Sequence, residues 1–178
     1  MAKKKTALIF SGVMLLLIML AVSVGSTPTP QTVDQFISNY NNEIKNTAGK
    51  RVEKYGGYST LTSRCTLKNI ESMNGIKMAL IYDSSGESAF MSHNNANSFD
   101  VGFTLNKDIS SDAIFSIIEA AILAAGDNDN EVANKLGILS GNQYHIPGEY
   151  QREISLNGKK YSLASFDNHI ILLVVIPK

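Results

Sequence analysis

Residues 150–178 read YQREISLNGKKYSLASFDNHIILLVVIPK, and this stretch decides the fold class. Two dipeptides typical of hairpin turns, Asn157-Gly158 and Asp167-Asn168, divide it into three runs of strand-forming residues. It therefore predicts an antiparallel meander of strands Tyr150–Leu156, Lys160–Phe166 and Ile170–Ile176. Because the last run is continuously apolar, we expect it to lie centrally in the sheet.

Four further strand-like runs lie upstream of the meander. They are predicted at Arg64–Ser72, Ile76–Tyr82, Ser88–Ser92 and Ser98–Leu105. Asn74-Gly75 supplies a hairpin turn between the first two, and residues 83–86 (Asp-Ser-Ser-Gly) supply another before the third. In the fourth run, apolar residues alternate with polar ones, which predicts one buried face.

Three helices complete the prediction. Thr32 and Gln35 form a capping box before an amphipathic helix, Val33–Thr47, which we expect Gly49 to end. A helix over Asp112–Ala125, capped by Ser110 or Ser111 and closed by Gly126, is apolar nearly all round, so we expect it to pack on the sheet. A short helix, Asn130–Leu136, follows. The order α-β4-α-α-β3 predicts an α+β domain with a mainly antiparallel sheet and helices packed on one face.

The first 26 residues are predicted to be a signal peptide or a signal-anchor helix. Lys3, Lys4 and Lys5 precede twenty uncharged residues, Thr6–Gly25, which are long enough for a helix to cross a bilayer. Small residues before position 27 also suit cleavage after Ser26, so both alternatives stay open. In either case the lysines predict a cytoplasmic N-terminus and an extracytoplasmic domain, which is either secreted or held by a single-pass anchor.

Residues 27–31 contain two prolines and are predicted to be a linker, which leaves residues 32–178 as a single domain. All 16 Asp and Glu residues follow the leader, whereas three of the 16 Lys and Arg residues belong to it, so the domain carries about −3. This mild charge does not favour nucleic-acid binding. Cys65 is the only cysteine, so no intramolecular disulfide forms, and we expect the thiol to be buried on a strand.

Two stretches are candidate binding segments. The loop predicted over residues 50–63 is the one basic stretch with interleaved aromatic residues, and it could contact an anionic wall polymer, phospholipid headgroups or an acidic patch on an envelope protein. The second segment is an asparagine-rich hairpin loop over residues 93–100. The candidate binding residues in the two segments are Lys50, Arg51, Lys54, Tyr55, Tyr58, His93 and Asn95.

The sequence contains no recognisable catalytic, metal or cofactor motif. The acidic cluster over residues 127–131 lacks the glycine and the glutamate that a calcium loop needs. We expect it to stabilise the start of the short helix, with Asp129 as the N-cap. A nucleophilic pair of Cys65 with a histidine stays open as a third hypothesis, although no flanking signature supports it.

The combination of a lysine-led leader, the helix IIEAAILAAG (residues 117–126) and the final meander resembles a family. It is similar to small extracytoplasmic α+β domains of unknown function in Gram-positive bacteria, which are often lipoproteins. The resemblance covers residues 32–178 and implies a location but no catalytic residue. The chain departs from the lipoprotein form because its leader has no cysteine.

These observations favour a non-enzymatic envelope domain that binds a protein or a wall component. The alternative is a carrier of a small ligand or lipid, with a pocket between the central helix and the sheet. The sequence contains no feature that determines the oligomeric state.

Overall fold

The computed structural model describes residues 27–55, 60–81, 88–141 and 143–178. Four helices lie in these ranges: α1 Val33–Tyr55, α2 Thr60–Cys65, α3 Ser111–Ala124 and α4 Asp129–Leu136. The strands are β1 Glu71–Met73, β2 Ile76–Leu80, β3 Ala89–Asn94, β4 Ser98–Asn106, β5 Leu139–Ser140, β6 Gln143–Tyr144, β7 Tyr150–Leu156, β8 Lys159–Phe166 and β9 His169–Pro177.

Seven strands form one antiparallel sheet in the order β1-β2-β3-β4-β9-β8-β7, and β5 pairs with β6 in a separate small hairpin. The helices cover one face of the large sheet, and the buried apolar residues lie between the two layers. The predicted α+β class, the mainly antiparallel sheet and the placement of the helices on one face are confirmed.

The meander at the C-terminus is confirmed almost residue for residue. Asn157 and Gly158 have φ values of 50° and 78°, which is the left-handed pair that a two-residue hairpin turn of type I′ requires. Strand β9 lies between β4 and β8, so it is central in the sheet, as its apolar sequence predicts. Successive side chains of β9 point alternately toward the helices and away from them. Leu172 and Val174 are buried, whereas Leu173 is exposed.

The first hairpin is confirmed at its turn and wrong at its first strand. Asn74 and Gly75 have φ values of 52° and 79° and join β1 to β2. The predicted strand Arg64–Ser72 is instead the end of α2 and a short connection, and pairing begins only at Glu71. The predicted turn at residues 83–86 lies outside the described residues.

Side chains of α1 explain why that segment does not form a strand. The Tyr40 hydroxyl donates to the carbonyl oxygen of Cys65 at 2.9 Å. The Asn41 side chain accepts from the Leu67 backbone N–H at 2.9 Å and donates to its carbonyl at 3.1 Å. These bonds occupy backbone groups that a strand would use for its ladder, so a tertiary contact overrides the local alternation.

Helix α1 is longer than predicted. Gly49 does not end it, and the helix continues to Tyr55. The loop predicted over residues 50–63 is therefore wrong at residues 50–55 and 60–63, which are helical, and residues 56–59 lie outside the described residues. Ile44, Thr47 and Ala48 are buried against α3, and Arg51 is fixed to the same helix by an ion pair with Glu119. Packing on both sides of the glycine offsets its poor helix propensity, which is about 1 kcal/mol.

Helix α3 begins as predicted. Ser110 is its N-cap, and its hydroxyl accepts from the backbone N–H of Ala113 at 3.2 Å. The helix is buried along most of its length, including its alanines, and Gly126 follows it with φ +87°. The left-handed glycine turns the chain toward α4.

The predicted linker, residues 27–31, packs on this domain. The Thr27 hydroxyl donates to the Glu43 carboxylate at 2.7 Å, and Pro30 is buried. A Cβ on Gly126 would lie 2.7 Å from the Thr27 carbonyl oxygen, so only glycine fits there. The predicted membrane segment, Thr6–Gly25, lies outside the described residues. Within residues 27–178, in the described ranges, no helix is long and apolar enough to span a membrane.

Candidate interaction surface

The face of the large sheet that carries no helix exposes several large apolar side chains. Side chains alternate between the two faces of a strand, and the strand register identifies which ones share this face. We call it the open face and define it by the central residues Met73, Met78, Leu80, Ala89, Met91, Asp100, Gly102, Thr104, Lys160, Ser162, Ala164, Phe166, Ile171, Leu173 and Val175.

All the large apolar side chains that are strongly exposed in the described residues lie on the open face. Their exposed fractions run from 37% for Leu173 to 71% for Leu80, and the others are Met73, Met91 and Phe166. Single exposed apolar residues are common on protein surfaces, but a contiguous apolar patch marks an interaction site.

The open face has a ridge with a groove on each side. Strand β9 presents Ile171, Leu173 and Val175, whereas its neighbour β4 presents Gly102 at the level of Leu173. On the other side, β8 presents Ser162 and Ala164 at the levels of Leu173 and Ile171. The row of large side chains on β9 therefore stands above rows of small or polar side chains on β4 and β8.

A second concavity adjoins the open face at the outer edge of β2. It encloses about 650 Å³ and is lined by the connection from α2 to β1 and by apolar side chains of β2 and β3, including Met78, Leu80 and Met91. The Ile81 N–H donates to Ser88 across from β3 at 2.8 Å. Because antiparallel pairing alternates, Leu80 directs its N–H and C=O away from β3 and into this concavity. In this concavity, polar side chains of the connection and polar backbone groups of β2 therefore lie beside apolar side chains of β2 and β3.

Two of the predicted binding residues lie at the margin of the open face. His93 is exposed on β3 opposite Asp100 of β4. Asn95, in the hairpin that follows, donates from its side chain to Asp100 at 3.3 Å, and its carbonyl accepts from the Lys178 ammonium. Asn95 thus contributes to hairpin structure, and its role in binding stays a prediction.

In its described part, the predicted basic segment is helical and not a loop. Lys50 is exposed on α1, Lys54 and Tyr55 end the same helix, and Tyr58 lies outside the described residues. Arg51 is turned inward, where it pairs with the Glu119 carboxylate. Arg51, one of the side chains expected to bind an anionic partner, is therefore engaged within the domain.

Arg51 lies in a polar cluster between α1, α3 and the β5–β6 hairpin. Its guanidinium carbon is 5.7 Å from the ring centre of Phe115 and 5.5 Å from that of Tyr144, which are cation–π distances. Burial raises the pKa of Glu119, and the Arg51 charge opposes that shift. Burial and the neighbouring Glu119 carboxylate raise the pKa of Tyr144. The cluster holds the small hairpin against the helices.

The acidic segment after α3 is also structural, although in a different way from the one predicted. Asn128, and not Asp129, is the N-cap of α4, because its side-chain oxygen accepts from the Glu131 N–H at 3.0 Å. Asp127 is buried and pairs with the buried Lys159 ammonium at 2.9 Å. Its carboxylate also accepts from Asn157 at 2.8 Å and from the Tyr161 hydroxyl. The network ties the C-terminal end of α3 to the turn between β7 and β8.

Cys65 lies at the end of α2 and is fully buried. Burial raises its pKa to about 12, so the thiol stays protonated at neutral pH and is a poor nucleophile. The prediction that the Cys65 thiol is buried is confirmed, whereas the prediction that Cys65 lies on a strand is wrong. Within the described residues no group of three or more His, Cys, Asp or Glu side chains could hold a metal ion.

The layer between α3 and the sheet is filled along most of its length, since Ile117, Ile118 and Ile122 are fully buried. A cavity of about 280 Å³ lies at the N-terminal end of α3, where Ile114 and Phe115 face Ile170 and the segment over residues 145–148. This volume falls just below the usual range for small-molecule sites.

Sequence reasoning missed the open face because its residues are ordinary strand residues. One signal was present: a continuously apolar strand in a sheet with helices on only one side must expose every second side chain. Comparison of the chain with protein-family models, with curated proteins and with solved structures finds no match.

Proposed function

We propose that the chain is a non-enzymatic envelope domain that binds a protein through the open face. The observation that supports this most directly is that the strongly exposed large apolar side chains of the described residues all lie on that one face. The helices leave it uncovered, and protein interfaces have apolar centres with few charged groups.

The chemistry of the face favours a protein over an anionic wall polymer. On the four central strands, the levels of Leu173 and Ile171 carry no charged side chain, whereas the next level carries Asp100 and Lys160 beside Val175. Of its basic side chains, Lys160 is paired, since its ammonium lies 3.1 Å from the Glu153 carboxylate on the neighbouring strand. A polyanion would need an unpaired basic patch, and Arg51 of the predicted one is engaged internally.

The predicted location outside the cytoplasm is part of the proposal and rests on the leader. Thr27, where the leader ends, lies against Gly126 on the helix side of the sheet. A membrane anchor over residues 6–25 would therefore join the domain on its helix side. A chain cleaved after Ser26 would begin on that same side. The open face, on the opposite side of the sheet, is then free to meet a partner.

The test is chemical crosslinking of the full chain in the producing cell, with the adducts identified by mass spectrometry. Leu173→Asp places a charge at the centre of the open face, and we expect it to remove the adducts that the unaltered chain forms. Asn134→Asp, on the exposed surface of α4, is the matched control and should keep them. If Leu173→Asp forms the same adducts as the control, the open face is not the binding surface.

A small-ligand or lipid carrier is the second candidate, because the cavity beside Ile114 and Phe115 lies between the central helix and the sheet, where such a pocket was predicted. Native mass spectrometry of the purified full chain tests it. A bound small molecule that is lost in Ile114→Trp would support this function, and a spectrum with the mass of the polypeptide alone would contradict it.

A further inference from the structure

The relief of the open face is self-complementary. Across the four central strands, the level of Leu173 carries, in order, Ser162 on β8, Leu173 on β9, Gly102 on β4 and Met91 on β3. Small and large residues alternate in this row. Alternation of this kind is what lets two packed layers interdigitate.

A two-fold axis that runs along the strands, between β4 and β9, brings each large residue over a small one. Such an axis exchanges β9 with β4 and β8 with β3, and it keeps every residue at its own level along the strand. Leu173 and Gly102 are direct partners in the register, so Leu173 of each copy then lies over Gly102 of the other. By the same operation, Met91 of each copy lies over Ser162 of the other.

The adjacent level fits in the same way. Ile171 is paired with Thr104, and Ala89 and Ala164 are their outer neighbours. The axis places Ile171 over the shorter Thr104 and sets the two alanines against each other. Packed sheets cross at about −30°, so the contact is closest in these central rows and opens toward the corners.

The absence of a side chain at Gly102 leaves a shallow hollow on the open face. A Cβ built on this glycine would lie 3.9 Å from the Leu173 Cδ1 atom and 3.8 Å from the Met91 carbonyl oxygen. These are ordinary van der Waals distances, so the fold has room for a side chain that the sequence does not supply. The missing side chain leaves space for a group that approaches from outside.

The size of the face is adequate for a stable interface. Five strands spaced by about 4.8 Å, each about eight residues long at about 3.3 Å per residue, cover roughly 600 Å² of flat area, and about half of those residues point to the open face. Side-chain relief raises the accessible surface above this figure. A standard interface needs about 800 Å² from each partner. The levels of Leu173 and Ile171 carry no charged side chain on the four central strands, so two identical faces meet there without like-charge repulsion.

We propose that the partner of the open face is a second copy of this chain, packed face to face about a two-fold axis between β4 and β9. This inference rests on the proposed function and names its partner. The resulting contact is isologous, because Leu173 meets Gly102 twice, once in each direction.

A photocrosslinking experiment in the producing cell separates this inference from the proposed function. The full chain carries a benzophenone amino acid in place of Met91, which is exposed on the open face, or in place of Asn134 on α4 as a control. We expect irradiation to give an adduct of twice the chain mass from position 91 and at least tenfold less from position 134. An adduct of position 91 with a different protein would contradict the inference that the partner is a second copy, but it would still support the proposed function. No adduct at position 91 overturns both.

Gly102→Val provides a matched variant that does not depend on loss of folding. Its Cβ meets only ordinary contacts in the same chain, and valine is favoured in strands, so we expect the fold to be retained. The filled hollow should reduce the doubled-mass adduct from position 91 at least tenfold. An undiminished adduct from a folded Gly102→Val chain would contradict the proposed axis, and the melting temperature of the variant verifies the fold.

Discussion

At the scale of single residues, we expect the largest loss of folding stability when the hydrogen-bonded network around Asp127 is broken. Asp127 and Lys159 are both buried, and their charges satisfy each other at 2.9 Å. Asn157 and Tyr161 complete the carboxylate's hydrogen bonds. A buried pair adds little over an apolar pair of the same shape, but the loss of one partner leaves an uncompensated charge.

We therefore expect Asp127→Ala to lower the free energy of unfolding by about 3–5 kcal/mol, as measured by urea denaturation. Asn130→Ala, at an exposed position of the neighbouring helix, is the control and should change the stability by less than about 0.5 kcal/mol. Equal effects of the two substitutions would show that the carboxylate is not the partner of Lys159.

At the scale of elements, two glycines with opposite backbone requirements test the account of α1 and α3. Gly49 lies inside α1 with open space where a Cβ would be, whereas Gly126 has φ +87° and no room for one. We expect Gly49→Ala to stabilise the protein by about 0.5–1 kcal/mol because alanine loses less backbone freedom in a helix. Gly126→Ala should destabilise it.

Thermal melts followed by circular dichroism measure both changes. If Gly49 ended the helix in a left-handed conformation, as the sequence pattern indicated, alanine at this position would lower the melting temperature. The sign of the shift at Gly49 therefore distinguishes a continuous α1 from a helix that stops near Thr47.

At the scale of the whole molecule, neighbouring leucines on β9 test whether the sheet packs on one side only. Leu172 is fully buried under the helices, and Leu173 is 37% exposed on the open face. We expect Leu172→Ala to lower the free energy of unfolding by about 2–5 kcal/mol, through lost burial and a cavity. Leu173→Ala should lower it by less than half as much in dilute protein, where self-association does not contribute. Similar losses at the two positions would contradict the one-sided packing.

The buried thiol and phenols predict a loss of stability in alkali. Burial raises the pKa of Cys65 from 9.0 to about 12 and that of Tyr40 well above 10.0. Because these folded-state values exceed the unfolded ones, their contribution is fully present below pH 9 and is lost as the pH rises through the folded values.

We expect the urea midpoint to be similar at about pH 7 and about pH 8 and to fall steadily above about pH 9. Cys65→Ala removes the ionisable thiol and should make the alkaline decline less steep, even though it lowers the stability at neutral pH by leaving a cavity. A midpoint that rises with pH would contradict the burial of these groups.

Most of the fold was predictable, and the reason is local. The meander, the Asn74-Gly75 and Asn157-Gly158 turns and the Ser110 cap depend on chemistry within a few residues, namely alternation, left-handed turn residues and an N-terminal hydroxyl. The predictions of secondary structure are wrong where a side chain that is distant in sequence bonds to the segment. Asn41 and Tyr40 hold the segment after Cys65, and Glu119 holds Arg51 beyond Gly49.

The candidate site was less predictable than the fold. His93 and Asn95 lie at its margin, but Leu80, Met91 and Leu173 carry no chemical signature in the sequence, because an apolar strand residue is equally suited to either face. The sequence alone determined the elements, the antiparallel order of the meander and the class of the domain, since these follow from short-range stereochemistry. Only the tertiary structure decided which side chains lie on the face that the helices leave uncovered. Which face remains open depends on how distant elements pack, and that packing leaves the surface through which we propose that the domain binds its partner.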